Sequence, residues 1–135
     1  MALGIAAAAV DCVRELQPRP GVAAAERLAE LDAHIASVRA LVVHAARAVD
    51  ATGDGRPASA AKARACELAE DATLEAAELL GPSARAESPM LDKLLRDARG
   101  IEFMEGTRNI QWLNLLPALR ADVGELTAGS GRSAQ

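Results

Sequence analysis

Aromatic side chains are almost absent from this chain of 135 residues, which has one Phe, one Trp and no Tyr. The net charge is −4 and there is no basic tract. Nucleic-acid binding needs cationic side chains for phosphates and rings for base stacking, so we expect no nucleic-acid partner. No apolar run reaches the ~18 residues that a bilayer requires, and the apolar start lacks the basic residues of a secretory signal. We therefore expect a cytoplasmic protein with no membrane partner.

Cysteine and histidine are also scarce. Cys12 and Cys66 lie far apart in helical patterns, and we expect buried thiols in a reducing compartment rather than a disulfide. His34 and His44 lie ten residues apart. On one helix that separation is about 15 Å, too far for the two rings to share a metal ion. No metal site is expected.

Strand signals are missing as well, because no alternating run rich in Val, Ile and aromatics occurs, whereas alanine, the best helix former, is abundant. The sequence predicts an all-α fold, an up-and-down helical bundle of four to five helices over residues 1–127, followed by a disordered tail over 128–135. The predicted helices are Leu3–Leu16, Ala23–Ala51, Ala58–Leu80, Pro89–Arg99 with Ser88 as its cap, and a last helix that starts after Thr107 and runs to about Leu126 with a kink at Pro117.

Three side-chain patterns within these helices carry further expectations. Apolar residues recur at steps of three and four from Leu28 to Val49, which predicts one buried face on the second helix, with Arg39 paired to an interior carboxylate such as Asp97 or Glu67. Leu113 is expected in the core, and Phe103 and Trp112 are expected as core or interface anchors. The third helix has an acidic side, expected to be a solvated face rather than a partner site: Glu67, Glu70, Asp71, Glu75 and Glu78.

The most informative segment joins the fourth and last helices. It contains Arg96-Asp97-Ala98-Arg99, then Glu105-Gly106-Thr107, then Ile110-Gln111. A loop carboxylate followed by glycine can approach a substrate closely, and burial can raise its pKa until it suits general-base chemistry. The alternative is that Glu105 is an exposed loop charge ahead of a helix capped by Thr107.

This segment closely resembles the base loop of acyl-CoA dehydrogenases, and residues 27–82 and 83–116 follow the C-terminal helical domain of that family without a gap. The resemblance implies that Glu105 is the catalytic base that takes the α-proton of an acyl-CoA or acyl-carrier thioester. It also implies that Gly106 lies against the thioester and that Thr107 and Asn109 contact FAD. Gly81 is the one glycine retained from the family's flavin-binding turn.

Three departures from the family pattern concern the flavin. The loop that would carry Arg and Phe reads Gln17-Pro18-Arg19-Pro20-Gly21 and is shorter. The glycine-rich turn reads Gly81-Pro82 after Glu78, which loses a backbone donor and places a negative charge where the family has an amide. Trp112 stands where the family often has Arg. We therefore expect FAD to be shared with a partner subunit and not retained by the isolated chain.

Two hypotheses follow from the resemblance. The first is a stand-alone C-terminal-domain-like subunit of an FAD-dependent acyl-CoA dehydrogenase, an oxidoreductase acting on a CH–CH bond. It would work with an acyl-CoA dehydrogenase-like partner, or with itself, to carry out α,β-dehydrogenation. The alternative is a non-catalytic helical interaction module, or a truncated relic of the family.

Overall fold

The computed structural model describes residues 1–104, 106–107 and 109–117, without the side chains of Arg85 and Glu87. Within these residues there is no strand, and a further stretch, 109–117, is helical. The predicted all-α bundle is confirmed. Its helices are α1 (Ala2–Leu16), α2 (Val22–Thr52), α3 (Arg56–Leu80), α4 (Ala84–Glu87) and α5 (Pro89–Ile101).

The helix boundaries follow local chemistry. Gly53 ends α2 with φ 70°, and its N–H donates to the Val49 carbonyl at 2.8 Å. Ser88 caps α5 as predicted, because its Oγ accepts a hydrogen bond from the Leu91 N–H at 3.2 Å while Pro89 occupies the first turn. The single turn α4 was not predicted. The continuation of the last helix to Leu126, the kink at Pro117 and the tail 128–135 involve residues beyond those described, so they stay predictions.

The core is built from α3, which packs against α1, α2 and α5. Its contact faces are rich in alanine, and small side chains let helix backbones approach closely. Leu91 of α5 is 0% exposed and is among the largest fully buried side chains of the described residues. Alanines that are 0% exposed are Ala6 and Ala9 on α1 and Ala69, Ala72 and Ala76 on α3.

The predicted apolar face of α2 is buried only in part. Leu28, Leu31 and Ile35 are buried, but Val42 and Val49 are each 37% exposed. The physical reason is length: α2 has 31 residues and α1 has 15, so α1 cannot cover the distal half of α2. The expectation of one continuous buried face was therefore wrong at Val42 and Val49, although Ala45 between them is 3% exposed.

The expected interior ion pair of Arg39 was also wrong. Arg39 is exposed. The two proposed partners are engaged elsewhere, since Asp97 pairs with Lys93 and Glu67 pairs with Arg64 at 2.8 Å. Both of these pairs are local, within one turn of a helix.

The acidic side of α3 is not simply a solvated face. Arg27 of α2 forms ion pairs with Glu75 and, at 2.9 Å, with Glu78 of α3. Arg27 donates hydrogen bonds to Glu75 and Glu78, and these bonds, that to Glu75 most, raise the pKa of Arg27. Two residues of the acidic side, Glu75 and Glu78, therefore join α3 to α2 through ion pairs.

The two cysteines are buried and not joined in a disulfide, as predicted. Burial raises the pKa of the Cys12 thiol, although a hydrogen bond with Ser88 acts in the opposite direction. Among the described residues, no group of three or more His, Cys, Asp or Glu side chains is arranged to hold a metal ion. None of the described helices is both long and apolar enough to span a bilayer.

Candidate functional site

The candidate site begins where α5 ends. The Phe103 N–H donates to the Gly100 carbonyl and the Met104 N–H donates to the Ile101 carbonyl, both at 3.2 Å. These bonds span three residues rather than four, which tightens the chain into a last turn beyond the helix. Met104, the residue before Glu105, therefore stands at a defined position relative to α5.

A side chain from α3 also holds the backbone at Met104. Lys62 lies on the second turn of α3, and its Nζ donates to the backbone carbonyl of Met104. This contact joins residues 42 positions apart in the sequence. The start of the loop is therefore tied both to α5 and to α3.

Gly106, on the other side of Glu105, requires glycine for two reasons. Its φ is 101°, a conformation that residues with a side chain rarely adopt. A Cβ built at Gly106 would lie 3.2 Å from Nε2 of Gln111 and 3.5 Å from Cγ2 of Ile110. Gln111 is only 7% exposed, and its N–H donates to the Thr107 carbonyl at 3.1 Å as helix 109–117 begins. The end of the loop is therefore packed against the start of that helix.

A cavity of about 230 Å³ opens beside the beginning of the loop. Its lining is mostly apolar and includes one lysine and one cysteine. Complete ligand pockets usually exceed ~300 Å³, so this cavity suits one portion of a ligand rather than a whole one. The lining residues are Met1, Ala2, Lys62, Ala65, Cys66, Ile101 and Met104.

The predicted site residues divide into two groups. Gly106, Thr107 and Asn109 lie together at the α5 end, where Thr107 is half-buried and Asn109 is exposed. Glu105 itself lies outside the described residues, so its role as the base stays a prediction. Gly81 is at the far end of α3, about 28 Å from Lys62 along the helix axis at ~1.5 Å per residue.

The geometry of Gly81 is that of a helix C-cap. Its φ is 87°, and its N–H donates to the carbonyls of Ala77 and Glu78 at 3.1 and 3.2 Å. Its own carbonyl accepts from Ala84 at 3.1 Å. Since this N–H is already used, a contact between Gly81 and FAD remains a prediction without a free donor to support it.

Sequence reasoning missed Lys62 and Gln111 as members of this site. Lys62 lies on a helix in an unremarkable local pattern, whereas Gln111 belongs to the informative segment but was given no role of its own. The contacts that matter are made to the loop backbone. The one available signal was that Lys62 is one of only two lysines in a chain whose other cations are arginines.

The large apolar residues after α5 are more exposed than predicted. Phe103 is 72%, Trp112 is 43% and Leu113 is 55% exposed. The expectation that they are core residues was therefore wrong, and for Phe103 and Trp112 the alternative of an interface remains. Ile110 and Leu116 are also exposed, at 48% and 43%, and we call these five exposed residues together the 103–116 apolar surface.

Replacing Gly106 by Ala should lower the free energy of unfolding by about 1–2 kcal/mol, because φ is positive and the added methyl meets Gln111. Gly100→Ala is the matched control, since Gly100 lies inside α5 and has nothing within 4 Å of its Cβ position. It should leave stability unchanged or raise it by up to about 1 kcal/mol, as alanine favours helix. Urea unfolding of both variants tests the pair, and equal stabilities would contradict the crowding described at Gly106.

The fold and the loop together define a member of the acyl-CoA dehydrogenase family. The family model described as acyl-CoA dehydrogenase, C-terminal domain, matches residues 1–119, so the chain belongs to this family through that domain. A search of curated proteins finds no match.

The chain is also similar to a solved structure of an electron transferring flavoprotein of Acidaminococcus fermentans, reported in work on flavin-based electron bifurcation. The TM-score is 0.75 and the sequence identity is 25%, over 87% of this chain. The match covers 34% of the other chain, so this sequence spans about a third of that protein's length.

Proposed function

We propose that this chain contributes the catalytic-base loop to a flavin-dependent α,β-dehydrogenation of an acyl-CoA or acyl-carrier thioester. A partner subunit would supply most of the FAD site. The observation that carries the proposal is the fixed backbone on both sides of position 105. Lys62 holds the carbonyl of Met104, and Gly106 is packed against Gln111 in a conformation that favours glycine. Such anchoring is what a base needs if it is to meet a substrate in one geometry.

In this mechanism the carboxylate of Glu105 takes the α-proton of the thioester. The electron pair of the broken C–H bond forms the α,β double bond as a hydride leaves the β-carbon. FAD, when bound, supplies the acceptor for that hydride. Gly106 has no side chain to keep the thioester away, and a mostly apolar cavity lies beside Met104 on one side of the loop.

The residues of this chain fit FAD only in part. Thr107 and Asn109 could offer polar contacts at the loop. At the other end of α3 the Gly81 N–H is already bonded, and Arg27 is committed to Glu75 and Glu78. This favours a flavin held mainly by the partner.

The 103–116 apolar surface supports a partner next to the loop. Five large apolar side chains on it are between 43% and 72% exposed. Exposed apolar surface of this kind marks protein–protein contact sites when it is contiguous. Its position, directly before and after Glu105, suits a subunit that covers the base and excludes water from the reaction.

The purified chain alone should therefore be colourless, and the co-purified complex with a flavin-binding acyl-CoA dehydrogenase-like partner should be yellow. Absorbance and flavin released on denaturation measure this. About one FAD per isolated chain would contradict the shared site. Failure of every such partner to form a complex would reject the proposed function.

The second candidate is a non-catalytic interaction module. The observation that favours it is the Gly81 turn, where the family has a flavin contact and this chain has a helix C-cap whose N–H is already bonded to the carbonyls of Ala77 and Glu78. In that case the 103–116 apolar surface would serve assembly alone. The two candidates differ in the expected effect of replacing Glu105.

A further inference from the structure

Lys62 and Lys93 are the two lysines of the chain, and their surroundings differ. Lys93 is 61% exposed on α5 and pairs with Asp97 one turn away. Lys62 is half-buried, borders the cavity at the base loop, and donates to the backbone carbonyl of Met104. Of the two lysines, it is therefore Lys62 that connects α3 to the loop.

The acceptor of this hydrogen bond determines which part of the backbone Lys62 can hold in place. The Met104 carbonyl belongs to the peptide group that joins Met104 to residue 105. A peptide group is planar, so a donor that fixes the carbonyl also fixes the direction of the N–H of the next residue. A charged donor makes a stronger bond to a carbonyl than a neutral one does.

We propose that Lys62 is a positioning residue for the Glu105 loop. It holds the peptide plane before the base, while the contact of Gly106 with Gln111 holds the chain after it. Neither Lys62 nor Gln111 needs to touch the substrate. The catalytic consequence rests on the proposed function, whereas the positioning of the loop does not.

Hydrogen exchange on the isolated chain tests the positioning without any partner. In Lys62→Met, backbone amides of residues 103–107 should exchange about tenfold faster, because a charge-assisted hydrogen bond to that backbone is lost. Amides in the middle of α3 should be unchanged. Lys93→Met removes the same charge from the surface and should leave the loop amides as they were. Equal exchange of the loop in wild type and Lys62→Met would overturn the proposal.

Kinetics of the assembled complex test the consequence for catalysis. Lys62→Met should lower kcat ~10–100-fold with little change in KM, because a misplaced base slows the chemical step more than binding. Lys62→Arg, which keeps a cationic donor of similar reach, should restore most of kcat. An equal loss in Lys62→Arg and Lys62→Met, or a loss confined to KM, would overturn a positioning role.

The two measurements separate this inference from the proposed function. An inactive wild-type complex would count against the proposed function, while the exchange of the loop amides would still decide the role of Lys62. If Lys62→Met fails to fold, Lys62→Gln takes its place in both measurements, because it shortens the donor and removes its charge but keeps a polar side chain.

Discussion

Glu105→Gln should lower the dehydrogenation rate of the assembled complex by ~10²–10⁴-fold, the usual contribution of a general base. The amide keeps the size and most hydrogen bonds of the carboxylate but cannot accept the α-proton. The free energy of unfolding should barely change, since a loop carboxylate ahead of a helix contributes at most about 1 kcal/mol.

Glu102→Gln is the control for this experiment. Glu102 directly follows the last residue of α5 and is three positions before Glu105, so its replacement removes the same charge close to the loop. It should leave the rate within a few-fold of wild type. An active complex that is indifferent to Glu105→Gln would remove Glu105 from the mechanism and favour the interaction module.

Leu91→Ala should lower the free energy of unfolding by ~2–5 kcal/mol, because Leu91 is 0% exposed at the centre of the bundle and its loss leaves a cavity. Leu74→Ala is a matched control, since it deletes the same atoms from a helical residue that is 48% exposed. It should cost about 0.5 kcal/mol or less. Urea unfolding of both variants measures the difference, and similar costs would contradict the packing of α5 against α3 and α1.

The helices were largely predictable because their signals are local. The pair Ser88 and Pro89 predicted the start of α5, and the structure places Ser88 as the cap. The predicted end of the second helix at Ala51 lies one residue before the observed end at Thr52, where Gly53 adopts the left-handed conformation that glycine favours. In each case the determinant is the conformational preference of one or two residues, which a sequence displays directly.

Burial was less predictable because it depends on what lies opposite each helix. The apolar pattern of α2 is continuous, yet only its first half has α1 to pack against. The same limit applies to Leu113 and Trp112. Hydrophobicity predicts that a side chain is more stable when buried, but it does not identify the surface that buries it. Within the described residues these two side chains are only partly buried, which is consistent with a partner that covers them.

The residues of the loop itself could be predicted from the sequence, whereas the residues that support the loop from other helices could not. Gly106 was singled out from its place after Glu105, and its φ of 101° agrees with the need for glycine there. Lys62 could not be found in this way, because its partner is a backbone carbonyl 42 positions away. Backbone acceptors carry no signature in the sequence, so supporting residues of this kind emerge only from the fold.

The most direct test of the central claim is flavin reduction on anaerobic mixing with an acyl-CoA. The complex of this chain with its flavin-binding partner should lose its flavin absorbance as the substrate is dehydrogenated. The partner without this chain should keep it, and so should the complex that carries Glu105→Gln. Bleaching of the partner alone, at the same rate as in the full complex, would contradict the claim that this chain supplies the catalytic base.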